Sequence, residues 1–239
     1  MITGAGDGIG RVSAVHAASW GATVILLGRT TSKLEKVYDE ILDAGYPEPG
    51  IVPMDLEKTG VEDVNELLGV LNQNYGRLDG LLHNASILGE RLPIEQYSPA
   101  KWESVIKINL NAVFLLTRIL MPLLQRSEDG RLIFTSSSVG TAPRAYWGAY
   151  SVSKYAIEGF AKVLTDELEN TSKIRVSIVD PGATRTKMRA EAYPTEDPGE
   201  VKTAADLMPL YKYLLGSDSQ KEHGRLFTPE WLASNSQQH

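Results

Sequence analysis

Short aliphatic runs alternate with amphipathic helical patterns along most of this chain. The runs are typical of strands buried on both faces, while the segments between them repeat their apolar residues at helical spacing. Strand and helix change places six times, which predicts βαβ units and an α/β fold with one doubly wound parallel sheet and helices on both faces. The predicted strands are 1–3, 22–27, 51–54, 78–83, 131–135, 174–179 and 224–228, and the predicted helices are 9–20, 31–44, 61–75, 100–124 and 148–169.

Length and composition favour a single domain over residues 1–239. The formal net charge of -6 and the scattered basic residues argue against a nucleic-acid partner. No apolar run approaches the roughly 20 residues of a membrane span, so we expect no membrane contact. Cysteine is absent, which excludes disulfides and thiolate chemistry and is compatible with a cytoplasmic location. The four histidines have no metal-binding spacing, so we expect no metal.

Glycines and polar residues follow each predicted strand directly. Because the carboxyl ends of parallel strands meet at one edge of a sheet, where ligands bind in such folds, these residues should converge there. The positions concerned are 4–10, 28–29, 55, 84, 137 and 181–182.

Three glycines between the first predicted strand and the first predicted helix indicate a nucleotide site. Gly4, Gly8 and Gly10 have the spacing Gly-x-x-x-Gly-x-Gly, which lets the backbone turn tightly and approach a pyrophosphate at the helix N-terminus. A plain glycine-rich turn is the alternative, which the position between strand and helix disfavours.

The residues after the second strand bear on the choice between NAD and NADP. A site that prefers NAD places an acid about 20 residues beyond the glycines, whereas this chain has Gly28 followed by Arg29. An arginine without that acid favours the additional 2′-phosphate of NADP. Asp7, inside the glycine-rich turn, argues the other way because its carboxylate would repel that phosphate. We expect NADP as the cofactor, with NAD as the alternative.

The stretch 137–154 combines a hydroxyl, a phenol and an ammonium. Tyr150 and Lys154 are four residues apart, so on a helix they lie one turn apart on the same face. The cation is expected to lower the pKa of the phenol from about 10, and such a phenol can exchange a proton with a carbonyl or an alcohol. Ser137 could hydrogen-bond the same oxygen. A chance match to Tyr-x-x-x-Lys is the alternative.

Together these residues resemble the short-chain dehydrogenase/reductase family over nearly the whole chain. The motifs that carry the resemblance are TGAGDGIG at 3–10, Asp55, HNAS at 83–86, Asn109, Ser137, Tyr150 with Lys154, and PGATRT at 181–186. LHNASILGE, FTSSSVG and TRTKMRAEAYPTEDP are most similar to the YciK-type bacterial members, which are described as oxoacyl-(acyl carrier protein) reductases. The resemblance implies a Rossmann-type NAD(P)-binding domain and an oxidoreductase of the EC 1.1.1 type.

The resemblance also implies roles for individual residues. Tyr150 would be the acid/base, and Lys154 would lower its pKa and hold the nicotinamide ribose. Ser137 would orient the substrate oxygen, and Asn109 would fix a water that relays protons. The implied cofactor-binding residues are Gly4, Asp7, Gly8, Ile9, Gly10, Arg29, Asp55, Leu56, Asn84, Ala85, Tyr150, Lys154, Pro181, Gly182, Thr184 and Thr186.

Three places depart from the family pattern. Only two residues precede Thr3, where the family has several more, so we expect a truncated or trimmed start. Ser86 replaces a glycine, so the backbone there must suit a residue with a side chain. Pro229 and Glu230 follow the last strand in place of a glycine pair, which predicts a different C-terminal wall for the pocket.

The substrate side of the chain is less informative. Residues 187–201 are interpreted as a substrate lid, with an ordinary surface loop as the alternative. Arg144, Tyr146 and Trp147 are expected to line a pocket for a small-molecule carbonyl or alcohol, which could be an acyl, steroid, sugar or xenobiotic compound. Helices 100–124 and 148–169 carry more apolar residues than one core can cover, which together with the resemblance predicts a homodimer or homotetramer.

Three functions are compatible with parts of this sequence. The intact set of four catalytic residues favours hydride transfer between NADP(H) and a carbonyl or alcohol. A dinucleotide-sensing module without turnover should have lost part of that set. A sugar-nucleotide epimerase or dehydratase shares the tyrosine–lysine pair but needs a larger substrate domain than 239 residues allow.

Overall fold

The computed structural model describes residues 1–235, which form a seven-stranded parallel sheet flanked by helices. The strands are β1 (Ile2–Thr3), β2 (Ile25–Gly28), β3 (Gly50–Pro53), β4 (Gly80–His83), β5 (Arg131–Thr135), β6 (Arg175–Val179) and β7 (Arg225–Phe227). The helices are α1 (Gly8–Ser19), α2 (Thr31–Asp43), α3 (Val61–Asn74), α4 (Pro99–Ile106), α5 (Ala112–Leu124), α6 (Gly148–Leu168), α7 (Lys187–Ala192), α8 (Met208–Leu215) and α9 (Pro229–Asn235).

The strand order is β3-β2-β1-β4-β5-β6-β7. It runs outward in both directions from β1 and β4, so the loops after these two strands diverge and leave a crevice at the carboxyl edge of the sheet. The predicted Rossmann-type, doubly wound fold is therefore confirmed.

Successive side chains of the strands point to opposite faces of the sheet and so enter two separate cores. In β4, Leu81 packs among the helices α3, α5 and α6, whereas Leu82 packs among α1, α2 and α8. Both side chains are fully buried. The central strands are covered on both sides, which explains their nearly continuous aliphatic sequence.

Most predicted boundaries lie within two residues of the observed ones, and two elements differ by more. β2 begins at Ile25 and not at residue 22, because β1 is only two residues long and its pairing starts with Ile2 opposite Leu26. The predicted helix 100–124 is divided into α4 and α5 by a π-helical segment, Lys107–Asn111. Such single wide turns are frequent at functional sites.

In the described part of the chain, one helical segment is long and apolar enough to cross a membrane, contrary to the expectation from the sequence. This segment is Pro99–Leu124, and half of its most apolar window is buried. Leu116, Leu120 and Leu123 pack fully buried in the core between α5 and the sheet. Because a core helix of an α/β fold meets the same criterion, the segment is weak evidence for a membrane contact.

Candidate active site

A cavity of about 480 Å³ opens at the carboxyl edge of the sheet. Its walls are the segments that follow β1 to β6, together with α7. Most of the predicted site residues line it, namely Gly4, Asp7, Gly8, Ile9, Arg29, Asp55, Leu56, Asn84, Ala85, Ser137, Tyr150, Pro181, Gly182, Thr184 and Thr186. Gly10, Asn109 and Lys154 are buried and do not line it.

The three glycines of the glycine-rich turn occupy positions that disfavour a side chain. A Cβ atom at Gly10 would lie 2.3 Å from the carbonyl oxygen of Gly4, and Gly4 and Gly8 have positive φ angles of 70° and 53°. Asp7 caps α1, since its Oδ1 accepts a hydrogen bond of 2.8 Å from the backbone N–H of Gly8. The N-terminus of α1 thus faces the cavity with a backbone that a phosphate could approach closely.

Thr3 ties the glycine-rich turn to the loop after β4. Its Oγ1 accepts hydrogen bonds of 3.0 Å from the backbone N–H groups of both Asn84 and Ala85. The Nδ2 of Asn84 donates to the carbonyl oxygen of Thr3 at 3.2 Å. One buried threonine therefore fixes the two loops that border the crevice.

The end of the cavity beside β2 is rich in charge. Exposed Arg29 lines it, and Lys33 in the first turn of α2 forms an ion pair with Asp7. The hydrogen bond from Lys33 is the largest of the effects that lower the pKa of Asp7. At Gly28 a Cβ atom would lie 3.1 Å from Leu34, so the position where an NAD site carries an acid has little room for a side chain.

Tyr150, Ser137 and Lys154 meet at the other end of the cavity. Tyr150 and Ser137 line it, and the Nζ of Lys154 lies 5.5 Å from the centroid of the Tyr150 ring. Lys154 is 3% exposed, and its Nζ donates a hydrogen bond of 2.7 Å to the carbonyl oxygen of Thr135. The predicted helical spacing thus places the ammonium beside the phenol.

The expected depression of the Tyr150 pKa is wrong for this structure. Burial raises the pKa of Tyr150 to about 12, a side-chain hydrogen bond with Ser137 lowers it, and the charge of Asp180 raises it. Burial also lowers the pKa of Lys154 to about 8, against the opposing charge of Asp180. Desolvation is the largest cause of both pKa shifts because both side chains are almost completely buried.

Asn109 lies in the π-helical segment, and its side chain is occupied by protein partners. Its Oδ1 accepts from the backbone N–H of Ile87 at 2.9 Å, while its Nδ2 donates to the carbonyl oxygen of Ile87 at 3.0 Å and to Ser153 Oγ at 3.1 Å. These bonds hold the loop after β4 against the π-helical segment, and that segment against α6. The predicted role of Asn109 in a water relay stays a prediction.

An apolar wall adjoins Tyr150. Leu88, Trp147, Met188 and Ala192 line the cavity there, and the rings of Trp147 and Tyr150 have centroids 5.8 Å apart. Of the three residues expected to line this pocket, Trp147 does so. Arg144 and Tyr146 instead lie exposed outside the cavity lining. Tyr146 has a positive φ of 72° just before α6 begins.

Comparison with known proteins agrees with this geometry. The sequence profile described as short chain dehydrogenase matches residues 1–197. The chain belongs to the short chain dehydrogenase family.

Three relatives illustrate the similarity. The chain is 48% identical to the uncharacterized oxidoreductase YciK of Escherichia coli K12 over 227 residues, which cover 95% of this chain and 89% of YciK. It is 32% identical to the 3-oxoacyl-[acyl-carrier-protein] reductase FabG of Thermotoga maritima, over 79% of this chain and 74% of FabG. The crystal structure of an Escherichia coli CFT073 short chain dehydrogenase complexed with NADPH superposes with a TM-score of 0.93 at 48% identity, covering 96% of this chain and 95% of that one.

In this short chain dehydrogenase, Glu158 supports the loop that carries Ser137. Its Oε1 accepts hydrogen bonds from the Oγ of Ser136 at 2.6 Å and from Thr141 Oγ1 at 3.3 Å. The carboxylate is buried one helical turn beyond Lys154. Sequence reasoning missed it, although an acid four residues after Lys154 on an otherwise apolar face was a usable signal.

The lid predicted at 187–201 begins as a helix and not as a loop. α7 spans its first six residues and is capped by Thr186, whose Oγ1 accepts from the backbone N–H of Arg189 at 3.1 Å. Arg91, which the sequence analysis did not single out, donates to the carbonyl oxygen of Ala192. The guanidinium of Arg91 lies 4.7 Å from the Trp147 ring centroid and 5.2 Å from that of Tyr193. This stack holds the end of α7 over the apolar wall.

Proposed function

We propose that this short chain dehydrogenase transfers a hydride between NADP(H) and a carbonyl or alcohol substrate, with Tyr150 as the acid/base. The observation that carries the proposal is that Tyr150 and Ser137 line the same cavity as the glycine-rich turn and the N-terminus of α1. The NADPH complex of the Escherichia coli CFT073 relative supports the choice of cofactor. NADPH, when bound, supplies the hydride.

The residues around the cavity suit each part of the dinucleotide. The α1 N-terminus and the close-packed glycines suit the pyrophosphate, and Arg29 suits the 2′-phosphate. Lys154 would hold the nicotinamide ribose. The adenosine side would be lined by Asp55, Leu56, Asn84 and Ala85, and the nicotinamide side by Pro181, Gly182, Thr184 and Thr186.

In the direction of reduction, Tyr150 donates its phenolic proton to the carbonyl oxygen as the hydride reaches the carbon. Ser137 donates a hydrogen bond to the same oxygen and so favours the negative charge that develops there. Lys154 stabilises the resulting phenolate, whose proton is then replaced from solvent. Since the side chain of Asn109 is occupied, its proposed role is to hold the loop at Ile87, and a water would have to bind its main chain.

The apolar wall bears on the substrate. Leu88, Trp147 and Ala192 lie beside Tyr150, so we propose that the carbonyl carbon bears an apolar group. This favours acyl, steroid or apolar xenobiotic carbonyls over sugars. The name of the FabG relative, a 3-oxoacyl-[acyl-carrier-protein] reductase, is consistent with an acyl substrate.

We further propose that the chain is a single domain with a substrate lid at 187–201, and that it acts in the cytoplasm as a homo-oligomer.

The Tyr150→Phe variant tests this function. Phenylalanine keeps the ring but removes the proton donor, so turnover should fall by at least about 100-fold, in the range of general acid–base catalysis. NADPH affinity, measured by tryptophan quenching, should stay within about threefold. Activity is measured as NADPH absorbance with a panel of carbonyl compounds. Unchanged turnover would refute the role of Tyr150, and NADPH binding without turnover of any compound by the wild type would favour a sensing module.

A further inference from the structure

Lys33 lines the cavity, although it is not among the site residues predicted from the sequence. It lies in the first turn of α2, four residues after Arg29, and its side chain lines the cavity together with Arg29 and Thr30. A Cβ atom added to Gly6 would lie 3.0 Å from the Cβ of Lys33. The stem of Lys33 therefore packs directly on the glycine-rich turn, and Gly6 leaves it the room to do so.

The ammonium of Lys33 meets the carboxylate of Asp7. Its Nζ donates to Asp7 Oδ2, while Asp7 Oδ1 remains bonded to the backbone of Gly8. The side chains of Lys33 and Asp7 are 46% and 58% exposed. Half-exposed ion pairs are weakly held, so the ammonium can turn toward a ligand. Asp7 then still feels the positive charge of Lys187.

Other charged residues surround the Lys33–Asp7 ion pair at the end of the cavity beside β2. Arg29 and Lys187 also line the cavity, and the charge of Lys187 also acts on Asp7. Asp55 lies across the cavity with Lys58 at 3.9 Å. Thr30 is the N-cap residue of α2, but its side chain makes no hydrogen bond to the first turn. The N-terminus of α2 therefore has no side-chain cap. A dianionic phosphate beside Arg29 would meet an uncapped helix end and a second cation.

We propose that Lys33 determines the cofactor preference of this enzyme by cancelling the charge of Asp7 and, with Arg29, binding the 2′-phosphate of NADP(H). The proposal rests on the proposed function, because it requires the dinucleotide to lie in this cavity. It removes the conflict between Arg29, which favours NADP, and Asp7, which opposes it. Asp7 keeps its structural task of capping α1 and no longer repels the phosphate.

Two nucleotides that differ only in the 2′-phosphate test the proposal without a substrate. Calorimetric titration of the full chain with 2′,5′-ADP and with 5′-AMP measures the preference directly. The wild type should bind 2′,5′-ADP at least tenfold more tightly. In Lys33→Met, which keeps the aliphatic stem, the affinity for 2′,5′-ADP should fall at least tenfold while that for 5′-AMP stays within twofold.

Lys36→Met is the matched control, because Lys36 is exposed on α2 and outside the cavity lining. It loses the same charge from the same helix and should change neither affinity by more than twofold. The double variant Asp7→Asn/Lys33→Met should regain at least threefold of the lost 2′,5′-ADP affinity, because the uncompensated carboxylate is gone.

The outcomes separate this proposal from the function on which it rests. If the wild type prefers 2′,5′-ADP and Lys33→Met keeps that preference, the role of Lys33 is overturned and the proposed function stands. An equal loss in Lys36→Met, or a double variant as weak as Lys33→Met, likewise overturns it. A wild type that binds neither nucleotide overturns the proposed function and the role of Lys33 together.

Discussion

Lys154 carries its charge in the interior with a single hydrogen bond to the carbonyl oxygen of Thr135. Desolvation opposes the charged form, which is why burial lowers the pKa of Lys154 to about 8. A side chain chosen for stability alone would be apolar at this position. The site thus keeps a group that the proposed reaction needs and that the fold accommodates at a cost.

Because burying the Lys154 ammonium destabilises the fold, we expect the protein to become more stable when Lys154 is replaced by methionine. Burial lowers the pKa from 10.5 to about 8 in the folded chain, so the unfolded chain binds the proton more tightly. This corresponds to about 3 kcal/mol at neutral pH, of which about 1 kcal/mol is offset because Thr135 loses its donor. Lys154→Met should therefore unfold at higher urea at pH 7, with a free energy of unfolding larger by about 2 kcal/mol.

The pH dependence distinguishes this cause from improved packing. The destabilisation is complete below the folded pKa of about 8 and is relieved as the pH rises toward the unfolded value of 10.5. The advantage of Lys154→Met should accordingly vanish by about pH 10.5. Lys162→Met, at an exposed position of the same helix, should stay within about 0.5 kcal/mol at every pH. A gain that does not depend on pH would contradict the explanation.

Glu158 is predicted to act as a positioning residue through Ser136. Glu158→Ala leaves the buried Ser136 hydroxyl without its acceptor, which costs about 1–3 kcal/mol and releases the loop that holds Ser137. We expect kcat to fall at least about tenfold, with NADPH affinity unchanged, whereas Glu158→Gln keeps an acceptor oxygen and should retain kcat within about threefold. Steady-state kinetics and NADPH titration measure both effects. Equal losses in the two variants would argue against positioning by that oxygen.

At the scale of elements, α7 is held by aromatic and guanidinium contacts at its C-terminal end. The guanidinium of Arg91 lies 5.2 Å from the ring centroid of Tyr193, and the guanidinium of Arg189 lies 3.7 Å from it. Trp147 adds a tilted ring contact with centroids 6.0 Å apart. Since α7 has only six residues, these contacts and not helix propensity determine how firmly it covers the cavity.

Tyr193→Ala should loosen α7. Each cation–π contact contributes about 0.5–1 kcal/mol at exposed sites, so losing two shifts the balance between a closed and an open α7 by about tenfold. We expect KM for the carbonyl substrate to rise by about that factor, and trypsin to cleave faster at Lys187 and Arg189. Tyr193→Phe keeps the ring and loses only the long hydrogen bond of 3.4 Å from Arg144 to the Tyr193 hydroxyl, so it should behave nearly like the wild type. The idea fails if the two variants are equally sensitive to trypsin.

The sequence predicts those parts of the site whose geometry is determined by residues close together in the chain. The glycine-rich turn and the Tyr150–Lys154 pair were predictable, because a few adjacent positions determine their geometry. The direction of the Tyr150 pKa shift was not, since it depends on burial by distant segments. The contact between Lys33 and Asp7 was missed for the same reason, since 26 residues separate the two in sequence. Glu158 had a local signal in its spacing from Lys154, but its partner Ser136 lies 22 residues away and is known only from the fold.

At the scale of the whole molecule, α5 and α6 leave an apolar face exposed. Phe114 is 48% exposed and Val163 56% exposed, and Phe114 contacts the partly buried Phe160 with ring centroids 6.0 Å apart. Gly159 lies in the same region, and nothing lies within 4 Å of where its Cβ would be. A flat apolar face of this kind suits a helix-on-helix contact between two copies of the chain.

Phe114→Asp tests the oligomer that we propose. A buried, unpaired carboxylate at the centre of a subunit interface is strongly unfavourable, so the variant should sediment as a monomer where the wild type sediments as a dimer or tetramer. Leu42→Asp is the control, because Leu42 is similarly exposed at 40% on α2, on the opposite face of the sheet. It should leave the mass unchanged. A monomeric wild type, or an assembled Phe114→Asp variant, would refute this interface.

The cavity takes its lining from chain segments between Gly4 and Ala192, so it exists only after the sheet has assembled around β1 and β4. Under the proposed function, a dinucleotide that spans it binds the native chain and not the unfolded one. At a hundredfold excess over its Kd, that ligand stabilises the native chain by about 2.7 kcal/mol. The supply of the nucleotide would then govern how long each copy survives proteolysis, in addition to how fast it turns over substrate.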